Sequence, residues 1–169
     1  MSITTFFYKL SGYLSAAFLA GIGVLILAQI IARLLGSQIP SADDFAAWSM
    51  AAAVFLALPQ TFLSGGHIRV TLLFSSVPDG LRKLMDICAT LVAIATLSWS
   101  TWYGAEYAYE SYVYHDVSQG IIAVPLWIPQ ISMVVGLLLM TLALTERLIS
   151  MLRGNDIMAT SDEDFVGQE

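Results

Sequence analysis

Arg33 is the most costly side chain in this sequence to place, because it stands inside an apolar run. At the middle of a membrane span an arginine opposes insertion by about 2.5 to 3.5 kcal/mol. It lies three residues before Gly36, so its long stem lets the charge snorkel to the surface. The functional use of such a group is pairing, either with Asp43 or Asp44, which a short loop returns to the same surface, or with an acid on a partner. Gln29 stands one turn below it on the same helix face. Asp43 and Asp44 also have a local role. Ser41, after Pro40, is placed to cap a helix whose second and third positions they fill, where carboxylates favour the positive end of the helix dipole. Capping and partner contact are compatible.

Two histidines invite a haem hypothesis, which their placement opposes. His67 follows Gly65-Gly66 at the end of one apolar run and His115 precedes another, so they fall on opposite membrane faces, about a bilayer thickness apart. Axial ligands must converge on one iron. No metal cluster, phosphate-cradling glycine loop or nucleophile-base pair is present, so neither a cofactor nor an enzymatic activity is expected. Glu106 and Glu110, at i and i+4, read as a solvated helix face rather than an acid-base pair. The single Cys88 excludes an internal disulfide and reads as a small buried hydrophobe.

The elements that carry these residues follow from hydropathy. Of the 169 residues 57% are hydrophobic and only 12% charged, more apolar than a water-soluble domain can hide. Four apolar runs, Leu14 to Leu35, Phe45 to Leu63, Ile87 to Ala105 and Val124 to Leu144, each give about 28 to 33 Å of helix against a hydrocarbon core of about 30 Å. The expected fold is an all-α membrane protein with four transmembrane helices. The first run is too long for a signal-peptide core and is read as a retained span. Lys9, Arg69, Arg82, Lys83, Arg147 and Arg153 fall on one side, and the opposite loops carry Asp43, Asp44, Glu106, Glu110 and Asp116 without Lys or Arg. By the positive-inside rule both termini are cytoplasmic. Trp99, Trp102, Tyr103, Tyr107, Tyr109, Tyr112 and Tyr114 crowd the outer end of the third span, as interfacial rings do.

Ala16, Ala20, Ala28, Ala32 and Gly36 form a small-residue stripe on the first span, and Ser49, Ala53 and Ala57 form another on the second. Such stripes let helices approach closely, and internal packing is the preferred reading. Pro59 interrupts the second span and frees a carbonyl that neighbours must satisfy. Ile68 to Val77 is too short to span and is expected at the inner interface or against another protein, after which Pro78-Asp79-Gly80 turns the chain. Residues 1–153 are thus one transmembrane domain. Residues 154–169 form an acidic tail expected to be disordered, and it holds much of the net charge of −6. Seven scattered basic residues exclude a nucleic-acid surface.

Over about residues 8 to 153 the chain resembles the small membrane subunit, or Q-type component, of the tripartite ATP-independent periplasmic (TRAP) transporters of bacteria and archaea. The resemblance rests on the order of Asp43-Asp44 with Trp48, the His67-Ile68-Arg69-Val70 run, the Pro-containing turn with Arg82, and Val124-Pro125-Leu126-Trp127-Ile128-Pro129 with Gly136. Aspartates stand here where the family usually has glutamates, and Val135 where a proline is expected before Gly136. The resemblance implies a non-catalytic scaffold in the inner membrane. Its partners would be a large membrane subunit, which carries the substrate and sodium sites for organic-acid uptake, and a soluble periplasmic binding protein. Arg33, Asp43, Asp44, Trp48, His67, Arg69 and Trp127 are then the candidate partner-interface or docking residues. The competing readings are a homo-oligomeric channel or exporter lined by Gln29, Gln60 and Thr61, and the membrane anchor of a respiratory complex.

Overall fold

The computed structural model describes residues 3–64 and 79–153. They form four helices: α1 (Ile3–Leu34), α2 (Ala42–Leu63), α3 (Asp79–Val113) and α4 (Trp127–Leu152). Each is long and apolar enough to cross a bilayer. At 1.5 Å per residue α2 is about 33 Å long, close to the hydrocarbon thickness, whereas α1 and α3 reach about 48 and 52 Å and must tilt or project.

Helix ends depart from the apolar runs where hydropathy and helix propensity part company. α1 starts well before Leu14. α3 already includes Asp79 and Gly80, which were expected in a turn, and continues through Glu106 and Glu110, which were expected in a loop. No proline or glycine follows Gly104 before Val113, so nothing stops the helix when the side chains turn polar. α4 starts at Trp127 instead of Val124, because Pro125 is held in an isolated antiparallel bridge with Val117.

The packing order differs from the chain order. α1 packs on α2, α2 on α4 and α4 on α3, while α1 meets α4 only marginally. The helices therefore stand as an open row, α1-α2-α4-α3, in which α1 and α3 are each covered along one side. Tyr8, Phe62, Met140, Ala143 and Leu144 form the buried cluster, joined by Ala93, Ile94 and Leu97 of α3. Cys88, expected to be buried, is exposed, because α3 has only one close neighbour and most of its circumference is bare.

At the centre of the row the carbonyl freed by proline is covered by glycine. α2 runs unbroken through the buried Pro59, whose missing N–H leaves the Phe55 carbonyl, four residues back, without its helical donor. Gly136 of α4 lies directly against that peptide: a Cβ there would run into the Phe55 carbonyl and come within 2.9 Å of the Phe55 Cβ. Close approach brings the polarised Cα–H of Gly136 to the unpaired oxygen.

The two small-residue stripes fare differently. Ala53 is buried, and its carbonyl accepts a 2.6 Å hydrogen bond from Ser15 Oγ of α1. On α1, however, Tyr8 and Ser11 are buried, Ala28 and Ala32 are half-buried, and Ala16 and Ala20 are exposed. Only part of the first stripe packs internally, because α1 turns a face of mixed residue size toward α2.

Candidate functional site

Polar side chains gather at the two ends of the row. At one end, the N-terminus of α2 meets the loop between α3 and α4. Ser41 occupies the N-cap position with φ 56°, ψ 19°, and its side chain makes no capping bond. Its Oγ instead accepts the Ile122 N–H at 3.0 Å, so the expected cap is replaced by a tie to a loop 81 residues on. Asp43 and Asp44 do lie in the first turn of α2, where the helix dipole favours them. Gly120 seats the loop on this turn, for a Cβ there would strike the Asp44 carboxylate and lie 2.8 Å from Ser41 Oγ. The loop is closed on itself by Ser118 N–H to Val124 O at 2.9 Å and Leu126 N–H to Asp116 O at 3.0 Å.

Asp43 Oδ1 accepts a 3.2 Å hydrogen bond from Gln29 Nε2. The expected pairing of Arg33 with the doublet is thus not made within the chain. Arg33 is exposed in the last turn of α1, where a cation suits the carbonyl end of the helix, and Gln29, one turn below, takes the carboxylate. Trp48 packs edge-on against Phe45, centroids 5.4 Å apart, and Trp127 edge-on against Tyr112 at 5.8 Å. His115 is exposed in the loop with φ 55°. His67 and Arg69, with the segment Ile68 to Val77 and the acidic tail, lie outside the described residues.

The opposite end holds a group that inspection of the sequence passed over. Arg147 of α4 donates to both carboxylate oxygens of Asp86 of α3, at 3.2 and 3.0 Å, the one ion pair among the described residues. Its guanidinium carbon lies 5.7 Å from the Phe62 ring centroid of α2, a cation–π distance. The buried Tyr8 hydroxyl of α1 stands beside the Glu146 carboxylate of α4. All four helices therefore converge on one polar layer. The available signal was an acid, Asp86, just before the third apolar run, and the Glu146-Arg147 pair just after the fourth, but a hydropathy scan reads both only as span boundaries.

Between α3 and α4, nearer the doublet end, an apolar groove of roughly 340 Å³ is lined by Ala105, Ala108, Tyr109, Trp127, Ile131 and Val135. Among the described residues no group of His, Cys, Asp and Glu is arranged to hold a metal ion.

Four bilayer-length helices in an open row, with polar layers at both ends and broad apolar faces between them, define a helical membrane protein. The family model for tripartite ATP-independent periplasmic transporters, DctQ component, matches residues 22–154, and the chain belongs to that family. No curated protein and no solved structure matches it. The resemblance read from the motifs is borne out, and with it the assignment to a non-catalytic transporter subunit. Membership in a tripartite system implies two further components, DctM and DctP.

Proposed function

We propose that the chain is the scaffold of a secondary active TRAP transporter in a bacterial or archaeal inner membrane, with both termini cytoplasmic. In this reading it supports sodium-coupled uptake of an organic acid by the large membrane subunit, to which a periplasmic binding protein delivers substrate. The observation that carries the reading is the placement of charge. Among the described residues, carboxylates and basic groups lie toward the helix ends, and none stands in the apolar stretches 11–32, 45–63, 87–105 or 127–145, with Arg33 and Glu106 just beyond their margins. A substrate or ion path through lipid needs such groups near the midplane, so the path belongs to another component. Arg33, Asp43, Asp44, Trp48 and Trp127 then lie on the outer side, available to the binding protein or the large subunit, and His67 and Arg69 serve the inner side.

Internal packing counts against the channel reading, because its polar candidates are engaged within the chain. Gln29 holds Asp43, Gln60 packs on Gly12 of α1, and Thr61 bonds back to the Ala57 carbonyl. The deciding experiment is to tag the chain, extract it from its native membrane in mild detergent and identify what accompanies it by mass spectrometry. One large polytopic protein in near-equal amount is the expected result. A stable homo-oligomer recovered alone would overturn the reading.

A further inference from the structure

We propose that the groove between α3 and α4 holds one acyl chain of a phospholipid, whose ester and phosphate oxygens accept hydrogen bonds from the Tyr109, Tyr112 and Trp127 rings. That the lipid belongs to the outer leaflet rests on the orientation proposed above. The choice of a lipid as the occupant rests on the size, the lining and the level of the groove.

Size argues against the body of a helix. α3 and α4 meet at one end of the slot through the edge-on Tyr112–Trp127 pair, centroids 5.8 Å apart. They meet at the other where Val134 lies 3.4 Å from the place of a Cβ on Gly104. Between these levels α3 advances by about 12 Å, and a helix about 11 Å across with its side chains displaces roughly 1,000 Å³ over that length. The groove offers roughly 340 Å³. A helix could lie over the slot, whereas an unbranched hydrocarbon chain enters it.

The lining divides in the way a phospholipid does. Five of the eight lining residues are alanine, isoleucine or valine, and the other three are Tyr109, Tyr112 and Trp127. No lining residue is charged. Tyr109 and Tyr112 are 68% and 56% exposed, so each ring presents an apolar body to the slot and carries a hydroxyl beyond it. An indole N–H only donates and a phenol donates readily, while phospholipid ester and phosphate oxygens only accept. A transmembrane helix, with its carbonyls already bonded within itself, would leave these donors unmatched. Level agrees with lining, because both tyrosines belong to the aromatic belt at the end of α3, where the bilayer's own molecules change from hydrocarbon to ester.

The test uses the tagged chain purified with its transporter partners, reconstituted in dioleoylphosphatidylcholine vesicles and extracted again in mild detergent. The phosphatidylcholine left after washing is counted by mass spectrometry. The unmodified chain is expected to keep one molecule more than Ala105→Trp, which fills the slot from an exposed position. Val24→Trp, on the bare face of α1, is expected to keep as many as the unmodified chain. A Tyr109→Phe/Tyr112→Phe double variant, which keeps both rings, is expected to lose that molecule about fivefold faster. A photo-reactive residue at Ile131 in the native membrane guards against misfolded variants, and its expected product is a crosslink to phospholipid. Equal counts for the unmodified chain and Ala105→Trp, an unchanged rate of loss in the double variant, or an Ile131 crosslink to the large component or to a second copy of this chain would overturn the proposal.

Discussion

Gly136 and Pro59 solve one problem from two helices. Proline removes the donor that the Phe55 carbonyl would have used, and glycine lets α4 lie against that carbonyl. A methyl group at Gly136 has no flexible neighbour to displace, since what it meets is backbone. Gly136→Ala is therefore expected to force α2 and α4 apart and lower stability by about 1–3 kcal/mol, the usual cost of overpacking, read as a fall in Tm of the purified protein in detergent. An unchanged Tm would mean that the two helices do not touch there. The Arg147–Asp86 pair makes a second residue-scale prediction. Partly exposed and stacked on Phe62, it falls between surface and buried pairs. Arg147→Ala is thus expected to cost about 1–2 kcal/mol, with the D86R/R147D exchange recovering part of that loss.

Among the elements, the loop between α3 and α4 owes its position to α2. Ser41 gives up its capping role to hold Ile122, and Gly120 fits over the Asp44 carboxylate. Ser41→Ala should therefore loosen the loop and leave the start of α2 intact. Hydrogen exchange at the Ile122 amide is expected to rise about fivefold, the equivalent of about 1 kcal/mol for one hydrogen bond. Protection of the amides that follow in α2 should not change. The opposite pattern would restore Ser41 as a helix cap. Motif order alone brought Asp43-Asp44 and Trp48 together at the head of one helix, which the structure bears out. What no local pattern contained was the loop resting on that head, because a contact 81 residues apart leaves no periodic trace.

At the scale of the molecule, an open row leaves both outer helices with bare apolar faces, including Leu19, Val24 and Leu27 on α1. That shape suits the proposed scaffold role, in which the chain widens the platform of the large subunit. If the outer-side assignment is right, Gln119→Cys in a Cys88→Ala background should react with a membrane-impermeant thiol reagent added to intact cells whose outer membrane has been opened. Labelling only after lysis would reverse the orientation. Arg33→Ala should reduce transport through weaker assembly or docking while insertion stays unchanged, as expected of a cation that pairs with no carboxylate among the described residues. Wild-type uptake at equal complex abundance would remove Arg33 from the interface.

The four spans, the segregation of charge to their ends and the family itself were legible in the sequence. Each depends on one-dimensional quantities, namely the length of apolar runs, the sign of their flanks and the order of short motifs. Helix ends were less legible. Apolarity marks where lipid is tolerated, whereas a helix such as α3 continues until a breaker stops it. The side-by-side order α1-α2-α4-α3, the Arg147–Asp86 pair, the exposure of Cys88 and the choice of Gln29 over Arg33 for Asp43 were decided only by tertiary structure. In lipid every face of an apolar helix is compatible with its surroundings, so hydropathy does not distinguish the face that meets a neighbour. That choice falls to steric fit between backbones and to the few polar groups that must find one another.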